Sequence, residues 1–210
     1  NWHNDINYAD DYGRYWDYGY IRDINLSLEN MEKFSVKLNE TQKKQFNAEF
    51  RFIRAYVYFE LVKRMGGVPL ITPQLIYNGS GDPSSLQNPR AKESEVYDFI
   101  YNEIQDIKDN FTQTEGSRTR ANKITALALQ SRAMLYAGSM YNSQMSAPIS
   151  TAGGEVGIPA SMAVGYYEKS LEASKAIIAN ENYELYDIAG SPKGENFYKL
   201  FMDKSCKEII

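Results

Sequence analysis

The chain has 210 residues, 43% apolar and 24% charged, with a formal net charge of -4. That composition suits a folded chain with a substantial core, and it lacks the dense basic patch that nucleic-acid binding needs to neutralise phosphates. A single cysteine, Cys206, rules out an internal disulfide framework, and a single histidine, His3, rules out a two-histidine zinc helix.

Residues 1–14 are rich in Asn, Asp and Tyr and carry no helical rhythm, so they read as a lead-in loop. Ile21, Ile24, Leu28 and Met31 then recur at offsets of three and four, which predicts a helix over about residues 15–36. Trp16 stands one turn before Tyr20 at helical spacing and is expected in the core. A polar break at Asn39-Glu40-Thr41, with Thr41 as N-cap, opens a long second helix reaching Met65. Phe46, Phe50, Ile53, Tyr56 or Val57, and Leu61 form its inner row. Gly66-Gly67 should stop it in a left-handed conformation, and Val68-Pro69 should force an extended exit. Residues 78–89, rich in Gly, Ser, Pro and Asn, are a loop.

A third helix is expected from about Ser94 through Phe111, with Tyr97, Ile100, Ile104 and Ile107 inward and Glu93 and Glu95 at its positive end. Glu103 and Asp106 on this helix read as an ordinary solvated face. A fourth helix over about residues 122–141 carries Ala126, Ala128 and Ala133 and is small-sided enough to approach a neighbour closely. Residues 142–157 form a second loop. A fifth helix over about 161–180, with Tyr167, Leu171, Ser174 and Ile178 on its working face, and a last short one near residues 197–202 complete the chain.

The helices come in pairs that resemble each other: Arg54-Ala55 followed by Tyr58 recurs as Arg132-Ala133 followed by Tyr136, each helix being followed by glycine, at Gly66 and Gly138. Helix pairs cannot bury their own apolar faces and therefore stack. The expected fold is all-α, with tetratricopeptide-like antiparallel helix pairs joined by long loops. One domain should cover residues 1–210: the lead-in 1–14, pair one 15–66, pair two 94–141, and the start of pair three 161–210. The chain opens at Asn1 and closes on the apolar pair Ile209-Ile210, so the expectation is a piece of a longer protein, and the missing leader carries no information about export.

No catalytic constellation is legible. There is no glycine-rich phosphate loop and no GxSxG elbow, and the aspartates near the start lack the spacing of a calcium loop. No cofactor and no metal site are expected. The aromatics are the unusual feature: 17 Tyr, 9 Phe and 2 Trp. In the lead-in they alternate with short polar side chains. A flat aromatic covers the C–H face of a sugar ring while Asn or Asp meets its hydroxyls. Trp2, Asn4, Asp11 and Tyr12 are the candidate ligand-binding residues on this argument.

Several stretches resemble the SusD/RagB family. Tyr18 to Asn30, YGYIRDINLSLEN, is similar to its N-terminal helix, and Ala48 to Thr72, AEFRFIRAYVYFELVKRMGGVPLIT, is the most specific match. Pro89-Arg90 with the following EVYDFI, Ala121 to Ser139, and Tyr166-Tyr167 to Tyr186 also fit. The resemblance implies a non-catalytic, lipid-anchored protein on the outward face of the outer membrane. Such a protein captures an oligosaccharide or other nutrient and passes it to a SusC-like TonB-dependent transporter. The lipidated cysteine and the irregular second half are expected to lie outside this chain, so contact with the membrane is expected only through an anchor the chain lacks. The family's ligand contacts follow no motif, so the four candidate residues rest on the aromatic-polar argument. The competing expectation is a helical-repeat scaffold that binds proteins and no glycan.

Overall fold

A computed structural model describes residues 16, 18–77, 79–112, 120–140, 149–180 and 186–202. Among these residues there is no strand. There are seven α-helices: α1 (Tyr18–Glu29), α2 (Met31–Phe34), α3 (Glu40–Met65), α4 (Glu93–Ile107), α5 (Lys123–Ser139), α6 (Ala163–Ile178) and α7 (Lys193–Met202). The all-helical, paired expectation is met.

Side-chain pairings give the directions. Tyr18 near the start of α1 reaches Pro69 just past the end of α3, while Asn25 meets Arg54 further back. Gln45 at the start of α3 meets Thr112 after α4, and Arg51 and Arg54 meet Glu103. Gln105 of α4 meets Gln130 of α5, and Lys123 meets Asp109. Ser131 of α5 meets Ser174 of α6, while Gly138 lies against Ala163 and Tyr167. The array α1, α3, α4, α5, α6 therefore runs antiparallel at every step. One core joins it, built on Ile21, Tyr58, Phe59, Ile100, Ile104 and Met134.

Local chemistry sets the helix ends. The first helix does not run unbroken to residue 36: Asn30 takes φ -94° and ψ 4°, a sparsely allowed conformation, and its amide nitrogen donates back to the Leu26 carbonyl. The cap of α3 is Asn39, not Thr41. The Asn39 side chain accepts from the Gln42 N–H, while the Gln42 side chain accepts from the Asn39 N–H, a reciprocal capping box. Asn122 caps α5 by accepting from the Thr125 N–H at 2.8 Å. The end of α3 departs from expectation in detail. Gly66 has φ 71° but ψ -146°, so it sits in the glycine-only extended region and not in the left-handed helical one. α4 ends at Ile107, earlier than expected, although Phe111 still packs on the core.

Two seams between helices use different means. Between α3 and α4 the contact is ionic. Arg54 donates through Nη2 to Glu103 Oε2 at 2.8 Å, with both side chains nearly buried, and Arg51 donates to Glu103 Oε1 at 2.6 Å and to Asp106 Oδ2 at 2.8 Å. Glu103 is thus a buried counter-ion, which corrects its reading as a solvated position; the inward direction was hidden because a carboxylate leaves no trace in the apolar rhythm. Between α5 and α6 the contact is close and small-sided. Ser131 Oγ lies 2.7 Å from Ser174 Oγ, Ser170 Oγ donates to the Ser131 carbonyl at 2.8 Å, and a Cβ on Gly138 would stand 3.0 Å from the Tyr167 ring. The buried row of α6 is Tyr166, Ser170 and Ala173, one position before the expected row, and Leu171 and Ile178 are exposed. Tyrosine and serine at the seam displaced the more apolar row that pattern alone selects. Ala55 and Ala133 are fully buried as expected, whereas Ala128 is exposed.

Candidate binding surface

Beyond Gly67 the chain lies extended along α1, and its backbone is satisfied by side chains. Tyr18 Oη donates to the Pro69 carbonyl at 2.8 Å. Tyr58 Oη accepts from the Ile71 N–H at 2.8 Å and donates to the Ile71 carbonyl at 3.0 Å, standing in for a neighbouring strand. Asn25 Nδ2 donates to the same carbonyl, Arg54 Nη1 donates to Asn25 Oδ1, and Glu29 accepts from the Gln74 N–H at 2.6 Å. Buried peptide groups without partners cost free energy, so this segment needs the polar hub beneath it. Burial pushes the Tyr58 hydroxyl up to about 12, which keeps it a donor at every physiological pH.

A second junction holds the chain at the end of α3. Arg90 donates to the carbonyls of Gly67 and Met65 at 2.7 and 2.6 Å, covering groups that a helix end leaves unpaired. Gly67 donates to the Glu155 carbonyl, and Glu93 donates through its N–H to the Gly154 carbonyl. The Glu93 carboxylate, 1% exposed, accepts from the Gly157 N–H at 2.7 Å. A Cβ on Gly67 would overlap the Ala91 carbonyl, at 1.9 Å. The Gly-Gly pair is therefore a close-approach point for two segments as well as a helix stop. Burial raises the Glu93 carboxyl above its ordinary range, opposed by the Gly157 N–H and by Arg90. Tyr97 Oη, close by, is buried without a hydrogen-bond partner among the described residues.

Trp2, Asn4, Asp11 and Tyr12 lie outside the described residues. The nearest described aromatic is Trp16, which is 45% exposed and rests edge-on against Tyr18, ring centroids 5.7 Å apart. This corrects its assignment to the core: α1 begins only at Tyr18, so the helical spacing to Tyr20 does not turn Trp16 inward. Trp16 is thus partly open to solvent beside Tyr18, which is itself tied to the segment at Pro69. Spacing alone could not find it. Among the described residues no group of three or more His, Cys, Asp or Glu is placed to hold a metal ion.

The chain matches, over residues 1–135, a SusD-like family described as starch-binding and associating with the outer membrane. The chain belongs to that SusD-like family. A SusD-like protein of Formosa agariphila is 27% identical over 124 residues, covering 58% of this chain and 22% of that protein. Among solved structures, a SusD-like protein from Bacteroides fragilis superposes with a TM-score of 0.62 at 25% identity, covering 94% of this chain and 32% of that one. A laminarin-binding SusD-like protein gives a TM-score of 0.51 at 27% identity, covering 67% of this chain and 32% of that one. This chain thus spans a third or less of the length of these relatives. Within the SusD-like match the long motif now has physical content: Arg54 neutralises Glu103, Tyr58 clasps Ile71, and Gly67 admits Ala91.

Proposed function

We propose that this SusD-like chain forms part of a cell-surface protein that binds an oligosaccharide without turnover and passes it to a SusC-like TonB-dependent transporter. The observation that carries the reading is the exposure of Trp16, which follows an aromatic and polar lead-in in sequence and rests on Tyr18, itself tied to Pro69. In this reading Trp2 or Tyr12 stacks on a sugar ring, and Asn4 or Asp11 holds its hydroxyls. Support comes from the family's description and from a SusD-like relative that binds laminarin. The same family likeness supports a lipid anchor and an outward-facing position on the outer membrane. No described helix is long and apolar enough to cross a membrane.

A protein-interaction scaffold is the second reading. It is favoured by Val164, Leu171 and Ile178, which stand exposed in one row along α6. The two readings separate by calorimetry on the full-length protein with laminarin oligosaccharides. Replacing Trp2 and Tyr12 together by alanine should weaken binding roughly tenfold or more, because stacked aromatics contribute on the order of 1 kcal/mol each and about 1.4 kcal/mol is one decade. The melting temperature should not change. Wild-type affinity in the double variant places the platform elsewhere; a lowered melting temperature makes these aromatics packing residues.

A further inference from the structure

A shallow cleft of about 250 Å³ opens between α4 and α6, lined by Asp98, Ser161, Met162, Gly165, Tyr166 and Lys169. Sites for drug-sized ligands run to roughly 300–1,000 Å³, so this one takes a single ring. Its charged groups are held from behind. The Lys169 ammonium lies 4.3 Å from the centre of the Tyr101 ring and 5.2 Å from that of Tyr166, and 3.3 Å from Asp98 Oδ1. Tyr166 is itself buried and donates to the Ser94 carbonyl at 3.2 Å. An ammonium carries three donors and a carboxylate only acceptors, so the pair offers both functions side by side.

Gly165 supplies an independent observation. Glycine inside a helix costs stability relative to alanine. Here no heavy atom lies within 4 Å of where its Cβ would stand. Packing therefore does not require glycine, and the missing side chain leaves the cleft floor open.

We propose that this cleft is a secondary sugar subsite that seats one neutral pyranose ring. The ring lies along the Gly165 backbone and Met162, with one hydroxyl donating to Asp98 and an adjacent one accepting from Lys169. The balanced charge of Asp98 and Lys169 selects hydroxyls over a carboxylate or phosphate. The cleft lies at α6, at the far end of the array from α1, so it would hold a different part of the glycan from Trp16. The inference rests on the glycan reading above.

The test is amide TROSY NMR of the full-length protein titrated with neutral trisaccharides (laminaritriose, cellotriose, maltotriose), with trigalacturonate as the anionic control. At least one neutral sugar should shift the amides of Ser161, Gly165 and Lys169, and trigalacturonate should not. Gly165→Leu, which fills open space, should abolish those shifts without lowering Tm, and Lys169→Gln should weaken them at least fivefold. Neutral-sugar shifts confined to other amides, or undiminished in both variants, overturn the subsite and leave the glycan reading standing. Equal response to trigalacturonate overturns the assignment to neutral rings. No response anywhere to any neutral sugar defeats the glycan reading and the subsite together.

Discussion

Helix pairs one and two carry the same string, Arg-Ala-x-x-Tyr, and use it in opposite ways. In α3, Arg54 and Tyr58 are buried, at 7% and 0% exposure. In α5, Arg132 is exposed and Tyr136 is 37% exposed, with the guanidinium 6.0 Å above the ring. The difference lies in what covers each helix. An extended segment runs over α3 and brings the carbonyls of Ile71 and Thr72, which Tyr58, Asn25 and Arg54 satisfy. α5 meets α6 instead, another helix with its backbone already paired, and serine and glycine suffice there. Irregular backbone calls for buried polar side chains; regular backbone calls for small ones.

The largest test of this contrast is Arg54→Ala. It leaves Glu103 buried with only Arg51 and removes the donor to Asn25. Breaking a buried ion pair on one side costs about 3 kcal/mol or more, whereas Arg132→Ala should stay within about 0.5 kcal/mol, as exposed positions do. Denaturant midpoints of the two variants check both figures, and equal losses would erase the distinction. Next comes the small-sided seam. Gly138→Leu places a Cβ 3.0 Å from Tyr167 and 3.2 Å from the Ala163 carbonyl. Overpacking of this kind costs roughly 1–3 kcal/mol, and a midpoint equal to wild type would show that α6 yields freely.

The smallest effect concerns pH at the junction of the two loops. Burial raises the folded-state pKa of Glu93 above its unfolded value. Its contribution to stability is therefore fully present below the ordinary glutamate range, about 4.3, and declines as pH rises through the folded value. Glu93→Gln keeps an oxygen for the Gly157 N–H and removes the ionisation. The variant should gain on wild type as pH climbs from about 4 to 7 in urea titrations. Parallel curves for the two proteins would show that burial of Glu93 is relaxed in solution.

Much of this architecture is legible in the sequence, because it follows from apolar periodicity. Ile100, Ile104 and Ile107 are buried where their spacing puts them, and Ala55 and Ala133 are fully buried. What periodicity hides is polar and long-range. Arg54 is visible as part of a string, but its partner Glu103 lies in another helix with no mark to distinguish it from Asp106. On α6, Tyr166 and Ser170 took the seam from Leu171 and Ile178, since hydroxyls at a close contact find partners and the apolar row remains outside. Gly66-Gly67 reads as a helix stop. That Gly67 also admits Ala91 depends on a segment more than twenty residues away. For the binding surface, the aromatic-polar lead-in was legible as a composition, while the exposure of Trp16 required knowing where α1 begins.

The most direct test of glycan capture is Trp16→Ala in the full-length protein, titrated calorimetrically with the same laminarin oligosaccharides and melted in parallel. Trp16 is 45% exposed and touches Tyr18 only edge-on. Affinity should fall about fivefold or more, in keeping with roughly 1 kcal/mol from one stacking aromatic, at a Tm within about 2 °C of wild type. Unchanged affinity, or a Tm that falls as it would for a core residue, would contradict it.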